Sequence, residues 1–325
     1  MYTLQEIGEL IEKNVAMLDL GLVPEEMHES VKYMLSMGGK RIRPTLCLAS
    51  YSMFSDNIDE QIIMPALALE IFHTFTLIHD DIMDKADLRR GKPTLYRKWN
   101  TNIAILSGDV MSIKACGMLS QAPADKLAQV LNLFTDTATK VCEGQQFDMN
   151  YESAYAINME EYMKMIGLKT AVLIACAAKM GAIIAGAGEK ACDALYDFAY
   201  DMGVAFQIQD DYFDSFGNGN IFGKKIGGDI LNNKKTWFLV ESMIRAGGKD
   251  KEKLHYLLSL NEEKSEEKIT GMQDLYIKLG VKDAANARIL DYYKKALLHL
   301  NDSGLESSRT ALLSDYAKKL FRRNS

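Results

Sequence analysis

One acidic pattern occurs twice, 130 residues apart: Asp80-Asp81-Ile82-Met83-Asp84 and Asp210-Asp211-Tyr212-Phe213-Asp214. Each copy follows an apolar run of helical character, Leu67 to Ile78 and Phe198 to Ile208. The first and last Asp of each therefore fall at i and i+4 and stack on one helix face. Unpaired carboxylates so placed repel one another, and carboxylates emerging from apolar helices require compensation. One copy alone reads equally well as a solvated helix end. Two copies point to hard-oxygen cages for Mg²⁺, which keeps several waters and completes its shell with substrate phosphates. Two such cages imply a diphosphate.

Basic clusters supply the other half of that chemistry. They are Gly38-Gly39-Lys40-Arg41-Ile42-Arg43-Pro44, Arg89-Arg90-Gly91-Lys92, and Gly223-Lys224-Lys225 with Lys234-Lys235-Thr236. Surface ion pairing would explain any of them singly, and Arg41 reads as a solvated arginine. Their repeated placement beside glycine turns is more specific, because glycine lets backbone and basic side chain approach an oxyanion together. Arginine forks suit diphosphate oxygens, and lysine supplies point charge.

The elements that must hold these residues are helices. The chain has five prolines, Pro24, Pro44, Pro65, Pro93 and Pro123, and none in the 202 residues after Pro123. With apolar residues recurring at helical period, this predicts helix almost everywhere, and no strand-and-hairpin pattern stands out. The predicted helices are 2–18, 25–36, 41–54, 60–84, 94–120, 123–149, 158–166, 168–185, 189–214, 233–247, 251–260, 263–281, 284–301 and 305–322. The longest glycine-rich break, Phe216 to Gly228, directly follows the second acidic pattern, where a flap over a charged site is expected. No Ser/Pro linker divides the chain. The expectation is one all-helical domain, 1–325, with its cavity inside the bundle.

Bulk properties exclude other classes. The 325 residues are 48% hydrophobic and 25% charged, enough for a buried core. A net charge of −6 argues against general nucleic-acid binding. Cys47, Cys116, Cys142, Cys176 and Cys192 are scattered, without a C-x-x-C pair, as in a reduced cytoplasmic protein. Residues 1–13 lack the apolar core of a signal peptide. Ala171 to Ala187, the most membrane-like stretch, is interrupted by Lys179 and short for a span, so no transmembrane segment is expected.

In order and spacing these motifs resemble the trans-isoprenyl diphosphate (polyprenyl) synthases over nearly the whole chain. The resemblance is carried by Gly38 to Pro44, His79 to Asp84, Leu88 to Thr94, Gly108-Asp109, Glu143 to Asp148, Lys169-Thr170, Phe206 to Asp211, Gly223-Lys224 and Gly228-Asp229-Ile230. It implies an isoprenoid-synthase-type helical bundle around a central cavity. It also implies that three Mg²⁺ ions are held with substrate bound, by Asp80, Asp84 and Asp210, with Asp81 and Asp214 in support. Arg89, Lys169, Lys224 and Lys234 would grip an allylic diphosphate; Lys40, Arg43, His73 and Arg90 would bind isopentenyl diphosphate. Taken alone, His73 would read as a core histidine. In the implied reaction the allylic C–O bond ionises, isopentenyl diphosphate attacks the cation, and the departing diphosphate takes a proton. Thr170 and Gln207 would stabilise the cation beside Lys169 and Lys224; alone, either reads equally as ordinary helix hydrogen bonding.

Two features depart from the family or subdivide it. Lys225 stands where many relatives carry proline. The first acidic motif lacks a two-residue insertion found in one class of bacterial farnesyl diphosphate synthases, like archaeal-type geranylgeranyl synthases. In the family, the positions four and five before that motif, here Thr76 and Phe75, commonly floor the elongation cavity. On an ideal helix wheel of about 100° per residue, Phe72 and Thr76 lie nearer the Asp80 face than Phe75 does. For both phenylalanines, simple core packing is the plain alternative. A C20 product is favoured over C15, with C30 or longer as the alternative. A class I terpene cyclase would not need the Lys40, Arg43, His73 and Arg90 group, and a non-catalytic partner subunit would not need both aspartate sets. The family is usually homodimeric, the expected state here.

Overall fold

The computed structural model describes residues 2–217 and 227–322. Described helices account for nearly all regular structure, and contacts divide the chain into two compact units. The first comprises residues 1–137, 173–197 and 299–318; the second comprises 138–172, 198–298 and 319–325.

In the first unit, helix α1 (Leu4–Met17) opens with a capping box, Thr3 and Glu6 each satisfying the other's backbone N–H. Its Ile7, Ile11 and Val15 form a buried stripe. Helices α2 (Glu25–Ser36) and α3 (Ile42–Ser52) follow, and then α4 (Glu60–Met83), capped by the Asp59 carboxylate. Residues on every side of α4 are buried, from Ile62 through Leu69 and Phe72 to Ile78. An all-round apolar helix is a core helix, and its end carries the first aspartates.

Two local signals overturn expected boundaries. Residues 94–120 form two helices, α5 (Leu95–Lys98) and α6 (Thr101–Leu119). The Asn100 side chain accepts the Ile103 N–H at 2.9 Å and starts a new helix, while Trp99 leaves helical geometry. A short hairpin also stands where no strand was expected: β1 (Leu88–Arg89) pairs antiparallel with β2 (Lys92–Pro93). Its turn residues Arg90 and Gly91 both have positive φ, 53° and 75°, which matches the twist of a two-residue hairpin.

Arg41 is a third correction. It is buried, with Nε 2.9 Å from Glu12, Nη1 2.8 Å from Glu70, and Nη2 donating to the Leu35 carbonyl. Glu70 is itself buried inside α4, so the arginine is the counter-ion that the helix needs.

Helices α7 (Leu127–Glu152) and α10 (Glu189–Phe216) each contribute residues to both units. Between them, α8 (Met159–Ile166), a π-helical turn (Gly167–Ala171) and α9 (Val172–Ile184) run on as one 26-residue helical stretch. Continuity through Gly167 makes this apolar run longer than the sequence suggested. By length and composition alone it could cross a membrane, as could α4 and α6. Its apolar window is 78% buried in the protein, against 39% for that of α6, which leaves Ile105, Leu106 and Ile113 exposed.

The second unit has its own core, in which Tyr162, Phe238 and Tyr276 are almost fully buried together with Trp237. Helices Trp237–Arg245, Gly248–Leu258 and Ser265–Lys278 supply much of it. The buried Lys268 Nζ donates to the carbonyls of Leu231 and Leu260, at 3.0 and 3.3 Å, and fixes the short helix Gly228–Leu231.

Removing Glu70 would take away the buried counter-charge of Arg41 and leave it the exposed Glu12. Glu70→Ala is expected to lower the unfolding free energy in urea by about 3–5 kcal/mol. A loss below about 1 kcal/mol, the size for an exposed pair, would contradict this role.

Candidate active site

The first acidic motif is presented by the C-terminal end of α4. Its three carboxylates occupy different environments: Asp81 is buried, Asp80 is half-buried and Asp84 is exposed. Arg89, held on β1, donates from Nε to Asp81 Oδ2 at 2.8 Å, and its Nη2 lies 2.8 Å from Asp81 Oδ1 and 3.4 Å from Asp80. Burial raises the Asp81 pKa, and Arg89 opposes the rise. Asp81 is thus a counter-ion that orients Arg89, while Asp80 and Asp84 remain the motif's more accessible oxygens.

Next to this lies an electropositive cluster within the same unit. The Arg43 Nε is buried without a hydrogen-bond partner, and burial brings the guanidinium down to about 10. Gly39 lies against the Arg90 guanidinium; a Cβ there would come within 2.9 Å of Nη1. This close approach joins the Gly38-Gly39-Lys40 segment to the hairpin. Burial first, then the charges of Arg43, Arg89, Arg90 and Arg41, hold the His73 imidazole well below its ordinary pKa. His73 is therefore neutral, and its surroundings repel a proton but attract an anion. Lys40 is exposed at the end of the same segment.

The phenylalanines ahead of the motif form one aromatic block. Phe75 packs against Phe72 and His79, with ring centroids 5.2 and 4.8 Å apart, and Phe72 packs edge-on against Phe134 at 5.0 Å. Gly108 of α6 leaves room for Phe75 and His79; its Cβ would meet His79 Nε2 at 2.4 Å. Thr76 donates to the His73 carbonyl at 2.8 Å.

In the second unit, Lys169 and Thr170 sit on the π-helical turn, a geometry frequent at functional sites. Small residues permit it. A Cβ on Gly144 would lie 2.3 Å from Lys169 N, and one on Gly203 would lie 2.7 Å from Ala171 Cα. Lys169 Nζ donates to Asp148 Oδ2 at 2.6 Å, and Lys234 Nζ lies 3.6 Å from the same oxygen. The buried Asp148 thus holds two of the expected diphosphate lysines together. Asp148 closes the Glu143 to Asp148 motif, and the sequence alone assigns it no role.

The second acidic motif also divides its labour. Asp210 is half-buried, whereas Asp211 is buried and accepts from Tyr162 O–H at 2.7 Å, Trp237 N–H at 2.9 Å and Gln207 Nε2 at 3.1 Å. Burial, then the charge of Asp229, pushes the Asp211 carboxyl up to about 7 against those hydrogen bonds. Gln207 Oε1 accepts the Thr170 hydroxyl at 2.9 Å, so the two expected cation-facing residues are joined. Asp214 accepts the Asp229 N–H at 3.0 Å, and its carbonyl accepts from Gly227 N–H, anchoring the chain there. Tyr162, Asp211 and Asp148 were given no role from sequence. Asp211 and Asp148 each stand in a motif of the sequence, which is a local signal; Tyr162 has none. Lys224, Gly223, Lys225 and most of the expected flap lie outside the described residues.

Among the described residues no three or more His, Cys, Asp or Glu side chains gather into a ready metal set. The donor chemistry nonetheless fits Mg²⁺, since Asp80 and Asp84 offer hard oxygens one helical turn apart and leave most of the shell to water and phosphate.

Comparison with known proteins places this geometry in context. The polyprenyl synthetase family model matches residues 24–276. A short chain isoprenyl diphosphate synthase of Methanothermobacter thermautotrophicus is 34% identical over 313 residues, 96% of this chain and 95% of that protein. A geranylfarnesyl diphosphate synthase of Natronomonas pharaonis is 34% identical over 327 residues, covering 93% and 91%. A solved geranylgeranyl pyrophosphate synthase superposes with a TM-score of 0.94 at 38% identity, over 100% of both chains.

The His73 environment makes a direct prediction. In the free protein, NMR should find the imidazole uncharged at about pH 6, although an ordinary histidine is largely protonated there. Adding inorganic diphosphate should raise its pKa. A charged imidazole in the free protein would contradict the arginine-cluster reading.

Proposed function

The chain belongs to the polyprenyl synthetase family, and from that premise we propose that it condenses isopentenyl diphosphate head-to-tail with allylic diphosphates, giving an all-trans C20 product. The whole chain, 1–325, would act as one catalytic domain. The observation that carries the reading is the arginine cluster around His73, a concentration of positive charge beside the first aspartate motif. A terpene cyclase has no second diphosphate to place there.

We assign Asp80, Asp84 and Asp210 to the metals, three Mg²⁺ ions in all. Bound Mg²⁺ would neutralise charge on the leaving diphosphate. Arg89, Lys169, Lys224 and Lys234 hold that diphosphate, with Asp81 orienting Arg89, Asp148 holding Lys169 and Lys234, and Asp214 anchoring the following segment. Lys40, Arg43, His73 and Arg90 hold isopentenyl diphosphate, His73 as a neutral hydrogen-bonding group. Arginine forks and the unpartnered Arg43 Nε suit such oxygens. As the allylic C–O bond ionises, the oxygens of Thr170 and Gln207 face the positive charge. The alkene of isopentenyl diphosphate attacks the cation, and the departing diphosphate takes the proton. Exclusion of water protects the cation from quenching.

Phe75, with Phe72 behind it and Thr76 beside it, floors the elongation cavity. The packed aromatic block supports this assignment. The exposed Ile105, Leu106 and Ile113 of α6 support a homodimer with two-fold symmetry. We place the protein in the cytoplasm.

Purified protein given Mg²⁺, isopentenyl diphosphate and geranyl or farnesyl diphosphate should yield mainly geranylgeranyl diphosphate by chromatography. Absence of any elongated product would overturn the enzyme reading; consumption of the allylic substrate without isopentenyl diphosphate would indicate a cyclase. Phe75→Ala should lengthen the product by one or more isoprene units. Unchanged length would place the floor elsewhere.

A further inference from the structure

The hydrogen bonds around Thr170 have a direction, and that direction originates at Asp211. Trp237 contributes a backbone N–H, which can only donate, to Asp211 Oδ2. Tyr162, almost fully buried, donates its hydroxyl to the same oxygen. Asp211 Oδ1 remains for Gln207. Asp211 accepts at both oxygens, and the Gln207 group facing Oδ1 at 3.1 Å is the NH₂. Turning the amide over would press its carbonyl oxygen against the carboxylate. With the NH₂ so placed, Gln207 Oε1 faces Thr170, and the hydroxyl of Thr170 must donate to it. The Thr170 proton is thereby committed to Gln207, and the oxygen keeps its lone pairs.

We infer that Asp211, held by Tyr162 and the Trp237 N–H, is a positioning residue that orients the Gln207 amide and, through it, turns the Thr170 lone pairs toward the reacting allylic group. The inference rests on the proposed reaction for the cation, but the hydrogen-bond order stands independently of it. Asp211 is too deeply enclosed, and too occupied by these three donors, to serve as a metal oxygen like its neighbour Asp210. The π-helical turn adds to the device. It carries Thr170 on backbone held between Gly144 and Gly203, so the hydroxyl is adjusted by its partners and not by movement of the helix.

Asp211→Asn keeps the shape and breaks the order. The Asn oxygen still receives Trp237 and Tyr162, and its NH₂ now faces Gln207. The Gln207 amide turns over and donates to Thr170, consuming a lone pair that the cation needs. The two proteins are compared at one pH, about 8.5. There, kcat for elongation of geranyl diphosphate should fall about 100-fold, as for loss of one oriented dipole at a developing charge. The KM for isopentenyl diphosphate and the half-saturating Mg²⁺ concentration should stay within about 2-fold, because neither ligand is touched.

A double-mutant cycle with Thr170→Val separates positioning from a general structural effect. In the Thr170→Val background, Asp211→Asn should cost clearly less than in the wild type, the remainder being the loss of the turned Gln207 oxygen. An equal loss in both backgrounds, or a shifted Mg²⁺ requirement, overturns the inference. Neutron diffraction of the wild-type protein above pH 8 tests the order without any reaction or variant. Deuterium on Gln207 Nε2 toward Asp211, and on Thr170 Oγ1 toward Gln207, supports it. The reverse order overturns it. A wild type with this order that fails to elongate would sink the proposed reaction and leave the hydrogen-bond assignment intact.

Discussion

Compensation of buried charge governs how this protein is put together. A carboxylate taken from water into an apolar interior must meet an opposite charge or a dense set of donors. Glu70 meets Arg41, Asp81 meets Arg89, and Asp148 meets Lys169 with Lys234 nearby. Asp211 meets a hydroxyl, a peptide N–H and an amide. In each acidic motif one aspartate is enclosed and held by protein groups, Asp81 by Arg89 and Asp211 by three donors, while Asp80, Asp84 and Asp210 are less buried. One pattern in the sequence therefore puts carboxylates into two environments in each unit, one enclosed and one nearer the surface.

The same constraint explains the arginine cluster. Four guanidiniums close enough to depress His73 would repel each other in an empty interior. Two are partly neutralised, Arg41 by Glu12 and Glu70 and Arg89 by Asp81 and Asp80. Arg43 keeps a buried N–H without a partner. Positive charge in excess of its internal counter-ions marks a place for an anion, and the proposed diphosphate is such an anion.

Much of this was legible because the fold is helical and helices carry local signals. The α2 boundaries match expectation at both ends, and α4 ends within a residue of it. The split between α5 and α6 was also local, in the capping Asn100, but a continuous apolar period concealed it. The hairpin depended on positive φ at Arg90, which its residue type does not announce. Arg41 was misread because its partners, Glu12 and Glu70, lie 29 residues away on either side. A glutamate inside an apolar helix was the clue to a buried cation. The π-helical turn under Lys169 and Thr170 needs Gly144 and Gly203 from two other helices, and no local pattern encodes that meeting. The aspartates were legible as a set, but which of them would be enclosed was not.

The proposed assignment of Asp80, Asp84 and Asp210 to metal requires that each bind it tightly with a diphosphate present and weakly without one. Mn²⁺ in place of Mg²⁺, counted by electron paramagnetic resonance, tests it directly. The expected result is weak Mn²⁺ binding by the protein alone and much tighter binding with a sulfur-bridged geranyl thiodiphosphate. That gain should be lost on Asp80→Asn and on Asp210→Asn alike. Equal Mn²⁺ affinity with and without the diphosphate, or a gain that survives both substitutions, would contradict it.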